Sequence, residues 1–229
     1  MTSKAPASKP PATPAMLVDT DHLFRLAKDG ASTFLQARPF SHLHITPFLK
    51  PVCCQAVYEG MQEWPAPAPG NFYPQGELPS VMRLLLWELS SSTVIRHIAT
   101  LTDKPPLLPD PFLLRSGVSA FTGGECVHVA EQEYFQRHPE TQLLNVLRLE
   151  LFVSKNPAAT FWLELIDTDG KIATSHIASS GSALLLNSDR YHVHYHCVQN
   201  TKWHSLVAYY FINDRARNLN GQEQPRVTN

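Results

Sequence analysis

The chain changes its grammar near residue 111, and that change limits the folds open to it. Downstream, LLRSGVSAF, ECVHVA, LNVLRLELFV, FWLELID, KIATSHIA, SALLLN, RYHVHYHCV and KWHSLVAYYFI are short β-rich runs. Turn signals such as TGG, KNP, DTDG and NSD separate them. Eight strands at this spacing predict an antiparallel sandwich or barrel. Upstream, helical periodicity dominates. DTDHLFRLAKDG reads as a short capped helix ending at Gly30. Pro51 opens a second helix whose expected apolar stripe is Val52, Ala56, Val57 and Met61. Residues 80–101 hold the longest helical pattern, with Leu84, Leu85, Trp87, Val94, Ile95 and Ile98 as its expected core face and a break near Ser90 to Thr93. One early strand, His42 to Phe48, precedes them. The class is α+β, with the helices packed on one side of the sheets.

Composition narrows the partners. With 43% hydrophobic and 17% charged residues in 229, the chain is globular. A net charge of -1 gives no footprint for nucleic acid or an anionic membrane, so neither is expected. No apolar run reaches the roughly 18 residues that span a bilayer. The opening MTSKAPASKPPATPAM lacks the hydrophobic centre of a secretory signal, and Cys53, Cys54, Cys126 and Cys197 form no CxxC pair, so a cytoplasmic location is expected. The expected organisation is a disordered Pro/Ala-rich tail over 1–16, a single domain over 17–214 and a flexible tail over 215–229.

Histidine is the unusual residue, with 11 in the chain. In RYHVHYHCV, His192, His194 and His196 alternate along one strand and are expected to share a face. Neighbours two apart sit about 6–7 Å apart, so two imidazoles can converge on one metal while three in a straight strand cannot. A further ligand must come from another strand, and CVHVAEQE offers His128, with Glu131 and Glu133 beside it. Such a site suits iron, zinc or copper better than magnesium. The plainer reading makes these half-exposed strand residues bonded to water or backbone, and on pattern alone it outweighs the metal.

The order of segments from LHITPFL to YYFIND resembles the iron(II)/2-oxoglutarate-dependent dioxygenases of the prolyl-hydroxylase-like type. The resemblance covers about 170 residues and rests on LHITPFLKP, LTDKPPLLPDP, TGGECVHVA, LLNVLRLELFV, FWLELIDTDGK, SGSALLLNSDRYHVH and WHSLVAYYF. It implies a double-stranded β-helix (jelly-roll or cupin-like) with N-terminal helices on the major sheet, and Fe(II) and 2-oxoglutarate as cofactors.

Position by position, the resemblance carries over unevenly. The first metal histidine falls on His128, and the family's carboxylate two residues later is Ala130. The distal histidine falls on His192, with His194 as the alternative register. The arginine that holds 2-oxoglutarate falls on Trp203, and the family's Gly-Gly pair on Phe161 and Trp162. Glu131 is the candidate replacement carboxylate if a bulge re-aims it. Arg148 and Arg190 are candidate replacement anchors, although a solvated strand-face arginine is the commoner reading of each. Two imidazoles without a carboxylate hold iron(II) weakly, and losing the guanidinium removes a clamp of roughly 1.5–3 kcal/mol.

Three readings follow. The first is an oxygenase-like enzyme with a rearranged, degenerate site acting on a small molecule or peptide; His128 with Ala130 also matches the HxA of the superfamily's halogenases, where chloride takes the vacant position. The second is an inactive pseudo-oxygenase serving as a scaffold or as partner of an active homologue, with Phe161, Trp162 and Trp203 filling the former pocket. The third is a non-oxidative isomerase or cyclase using His192, His194, His196 and His204 as acids and bases. His22, His42, His44, His97, His138 and His176 are read as scattered and without a shared role.

Overall fold

A computed structural model describes residues 16–63, 78–110, 117–122, 126–130, 144–187, 192–196 and 201–213. The helical half begins with α1 (Thr20–Lys28), where the Asp19 carboxylate accepts from the backbone N–H of His22 at 2.9 Å and caps the first turn. A second short helix, α2 (Ser32–Gln36), follows where no element was expected. A 3-10 turn at Pro51–Cys53 leads into α3 (Cys54–Glu63). The long pattern over 80–101 is two helices, α4 (Ser80–Leu89) and α5 (Ser92–Thr102), parted at the serines as expected. Ser91 caps α5 by accepting from Val94 N–H at 3.3 Å.

Helix faces differ in detail from the sequence reading. Val52 is 88% exposed, and α3 instead buries Cys54, Val57, Tyr58 and Met61. Trp87 is exposed, and α4 buries Met82, Leu85, Leu86 and Leu89. In both helices the apolar stripe is turned by about one residue from the one expected, because each residue advances the face by only about 100°.

The strands form two antiparallel sheets. The larger has β1 (His42–Ile45), β8 (Ala183–Asn187), β5 (Leu144–Ser154), β10 (Lys202–Ile212) and β2 (Leu108–Pro109) in that order, with β3 (Gly117–Thr122) also paired to β10. The smaller runs β4 (Cys126–Ala130), β9 (His192–His196), β6 (Thr160–Ile166) and β7 (Ile172–Ser179). β1 is shorter than expected: after Ile45 the chain leaves the sheet, and Phe48 and Leu49 are fully buried in the following segment. Gly181 holds that segment. Its carbonyl accepts from Phe48 N–H and Leu49 N–H at 2.8 and 2.9 Å, and its N–H donates to Phe152. Its φ of +86° and a Cys54 Sγ that would stand 2.6 Å from any added Cβ both require glycine.

Strand alternation then sorts the side chains into two cores. One face of the larger sheet carries Leu147, Leu149, Leu151 and Val153 of β5, Leu185 of β8 and Leu206, Ala208 and Tyr210 of β10. These pack against Val57, Met61, Met82, Leu85, Val94 and Ile98 of the helices. The other face carries Phe121, Phe152, Leu184, Leu186 and Trp203, which meet Phe161, Leu163, Leu165, Ala178, Val193 and Tyr195 of the smaller sheet. Burial on both faces explains why ALLLN reads as a continuous apolar run rather than an alternating one. Each large aliphatic or aromatic side chain so buried contributes about 1.5–3 kcal/mol. Outside the sheets, Glu88 of α4 ties down the start of the described chain by accepting from Leu17 N–H and Val18 N–H at 2.8–2.9 Å.

Candidate functional site

Between the sheets, β5 places two charges on the inward face. Arg148 is 6% exposed and Glu150 2%. The Arg148 Nη2 donates to Glu150 Oε2 at 2.7 Å, and the hydroxyl of Tyr195, across the gap on β9, donates to that same oxygen. The solvated strand-face arginine of the sequence reading is therefore corrected for Arg148. It alternates with Leu147 and Leu149, and with both faces of β5 covered a charge on it must be paired. As an anchor for an anionic cosubstrate, Arg148 has its Nη2 already committed to Glu150. Arg190 and Glu131 lie outside the described residues.

Beside this network the interior is aromatic. Phe161 meets Trp203 at a ring separation of 4.7 Å and Phe152 at 5.1 Å, and Tyr195 stacks on Phe121 at 5.4 Å. Trp203 sits on β10 opposite Ser154 of β5 and Phe121 of β3 and is fully buried. Trp162, one residue from Phe161, points the other way and is 42% exposed. It does not belong to the interior filling that the sequence suggested, because neighbouring strand residues face opposite sides.

The β9 histidines stand in a definite register. His128 of β4 is opposite His194, Ala130 is opposite His192, and Cys126 is opposite His196. On the other side of β9, Glu164 of β6 is opposite His194 and Ile166 opposite His192. One row therefore reads His128, His194, Glu164 across three strands. Val193 and Tyr195 are buried between the sheets, whereas His194 is half-buried and His196 exposed. Those two described histidines of β9 thus lie on the face away from the aromatic interior.

Three histidines read as scattered are brought together. His42 and His44 of β1 meet His176 of β7, with ring separations of 5.1 Å and 5.3 Å. His42 Nδ1 is 2.9 Å from the Phe40 carbonyl, and His42 Nε2 is 3.0 Å from His176 Nε2. Burial lowers the pKa of each, followed for His44 by the His42 charge and for His176 by those of His42 and His44; His176 falls to about 4. The sequence did hold a signal, an HxH in a strand with a lone histidine in another. His204 is a separate case: it is buried on the helix side, edge-on to Tyr58 at 5.2 Å, and neither ring nitrogen has a hydrogen-bond partner among the described residues. Burial, aided by Lys202, lowers its pKa to about 4.

Two antiparallel sheets closed over a shared core, with helices on the larger, define a double-stranded β-helix. Solved structures of the same fold include a prolyl-4-hydroxylase from Pseudomonas putida, with TM-score 0.53 and 10% identity over 87% of this chain and 99% of that one. A non-heme alpha-ketoglutarate-dependent carbocyclase, SnoK from nogalamycin biosynthesis, aligns with TM-score 0.52 and 10% identity, covering 84% and 90% of the two chains. An oxidoreductase of the 2OG-Fe(II) oxygenase family from Burkholderia pseudomallei gives 0.51 and 9%, covering 82% and 89%. At these identities the likeness is one of fold. No protein-family model and no curated protein matches the sequence.

Two of these neighbours are described as 2OG-Fe(II) or alpha-ketoglutarate-dependent proteins, and the residues of this chain can be set against those two groups. Among the described residues no three His, Cys, Asp or Glu side chains are arranged to hold a metal. At the position expected for the cosubstrate's arginine, Trp203 is packed on Phe161, and the inward-facing Arg148 bonds Glu150. The side chains of His128, Ala130 and His192, where the resemblance puts the metal, lie outside the described ones. No helix among them is long and apolar enough to cross a membrane.

Proposed function

We propose that this chain is a pseudo-oxygenase: an Fe(II)/2-oxoglutarate oxygenase-like protein whose degenerate site no longer supports ordinary dioxygenase turnover. Its barrel serves as a scaffold that binds a small molecule or peptide, or pairs with an active homologue. The observation that carries this reading is the full burial of Trp203 against Phe161. An indole seated among aromatic rings contributes to the core as a guanidinium there cannot, since a charge in that setting needs a buried partner. The joint change at Ala130, Trp203, Phe161 and Trp162 points the same way, because each alters a different part of the family's chemistry. The test is turnover: with Fe(II), ascorbate and 2-oxoglutarate, the purified protein is expected to form no succinate above the metal-only blank. Stoichiometric succinate formation sinks the reading.

A second reading has one observation in its favour. The row His128, His194, Glu164 sets two histidines and a carboxylate side by side on adjacent strands. Directly opposed strand residues have Cβ atoms about 4.5–5.5 Å apart. On this reading a divalent metal is held with His194 rather than His192 and with Glu164 supplying the carboxylate that Ala130 lacks. Elemental analysis after metal loading separates the two: one equivalent of metal lost in both His194→Ala and Glu164→Ala favours the second reading.

A further inference from the structure

The contact of His42, His44 and His176 joins one edge of the larger sheet to one edge of the smaller, since among the described strands β1 ends the first and β7 the second. Its hydrogen bonds fix the tautomer of the neutral His42 ring. The Phe40 carbonyl can only accept, so His42 Nδ1 carries the hydrogen and, in the neutral ring, Nε2 is bare. His176 Nε2 therefore donates to His42 Nε2 across 3.0 Å. His44 lies tilted at 37° on the His176 ring, and its Nε2 is buried without a hydrogen-bond partner among the described residues.

One added proton can be held only as a His42 Nε2–H···Nε2 His176 bond, which requires the His176 hydrogen to move to Nδ1. A second proton then sets two charges about 5 Å apart with no opposite charge beside them among the described residues. Around the cluster, β6 presents Leu163 opposite His176, and α2 brings no titratable side chain. Ahead of β1, the Arg38 guanidinium is turned to the Gln36 and Ala37 carbonyls. In the rows of the larger sheet, Leu186 separates His42 from Arg148, and Leu184 separates His44 from Glu150. Arg148 and Glu150 are paired with each other. Among the described residues no carboxylate pairs with the three rings. Side-chain hydrogen bonds across the seam are otherwise few among the described residues: Thr174 Oγ1 donates to the Arg38 carbonyl at 3.0 Å, and the Thr46 and Ser179 hydroxyls are 3.4 Å apart.

We infer that the β1–β7 seam is a proton-operated latch: three neutral imidazoles close it, and acidification parts the two sheet edges and exposes the interior along Leu184 and Leu186. The depressed pKa values place its release below the ordinary histidine range. Parting is expected here because no backbone ladder crosses from β1 to β7, whereas β5 and β10 are hydrogen-bonded along their length.

Hydrogen exchange of the full chain at pH 7.5 and pH 4.5, corrected for the intrinsic rate, tests the latch. At the lower pH, peptides covering 42–45 and 172–179 are expected to lose protection by about tenfold or more, the factor that one pKa unit represents, while those covering 147–153 and 204–210 hold theirs. In His176→Leu, and separately in His44→Leu, the two seam peptides are expected to exchange alike at both pH values. Either variant suffices should the other fail to fold. Equal seam protection in the wild type at both pH values overturns the inference, as does a seam that still opens on acidification in a folded variant. Saturable stabilisation by Zn²⁺ at pH 7.5 that is lost in His44→Leu also overturns it, because the rings would then be a ligand set.

Discussion

The indole of Trp203 and the ring of Phe161 meet edge to face, 4.7 Å apart and inclined at 69°, between the two sheets. Neither position carries a charge that could pair with an anionic cosubstrate, and both residues are essentially inaccessible to solvent. Edge-to-face pairs of this kind add about 0.5–1.5 kcal/mol beyond the area they bury. The pair makes the interior a load of packing, and the consequences can be measured.

Removing the indole should act as a core truncation. Trp203→Ala is expected to lower the unfolding free energy by about 3–5 kcal/mol in urea titrations. Trp203→Arg, which reinstates the residue type the oxygenase resemblance calls for, should be no more stable than the alanine variant and should not form succinate. An arginine variant with wild-type stability and turnover would show that the pocket had been kept.

The Arg148–Glu150–Tyr195 network should be strongly coupled. Glu150→Leu alone leaves the Arg148 guanidinium buried beside an apolar side chain and is expected to cost about 3–5 kcal/mol. Adding Arg148→Met should recover a large part of that loss. Tyr195→Phe, which removes one donor to the carboxylate, should cost about 1.5–3 kcal/mol. A double-mutant cycle in urea checks all three, and additive losses for Arg148 and Glu150 would contradict the buried pairing.

Acid stability should depend on His204. Its folded pKa lies near 4, below the ordinary 6.5, so the unfolded chain binds the proton more readily. Its contribution is intact above pH 6.5 and is lost as the pH falls from 6.5 to about 4. The full loss is roughly 3 kcal/mol. His204→Phe keeps the ring against Tyr58 and removes two nitrogens that have no hydrogen-bond partner among the described residues. It should match or exceed the wild type at pH 7 and lose less on going to pH 4.5, as read from urea midpoints at both pH values.

Glu88 should matter well outside its helix. Its carboxylate takes up the N–H groups of Leu17 and Val18, which are buried beside it. Glu88→Ala is expected to cost about 2–4 kcal/mol from lost charge-assisted bonds and stranded donors. Exchange at Leu17 and Val18 should rise before any change in β5, and unchanged protection there would show that the segment is held by something else.

Much of the fold was legible because alternation and turns carry it. The eight runs beyond residue 111, the capped first helix and the break at the serines of 90–93 all follow from local chemistry. What the pattern could not fix was rotation and partnership. Val52 and Trp87 faced outward because a helix stripe can be turned by one residue without changing its periodicity. Arg148 and Glu150 were hidden in RLEL, where two charges among leucines look like a solvated face until the opposing sheet covers them. His42, His44 and His176 lie 134 residues apart at their extremes, and only the closure of one sheet edge on the other reveals their contact. For His128 and His192 the strands and their pairing are established, with His128 opposite His194 rather than His192.

The most direct measurement is anaerobic calorimetric titration of Fe(II) into the purified protein with 2-oxoglutarate present. The expected result is no saturable binding beyond the buffer's own heat. One-to-one binding with both components, lost in His128→Ala and in His192→Ala, would contradict the pseudo-oxygenase reading and restore the chain to the working enzymes of its fold.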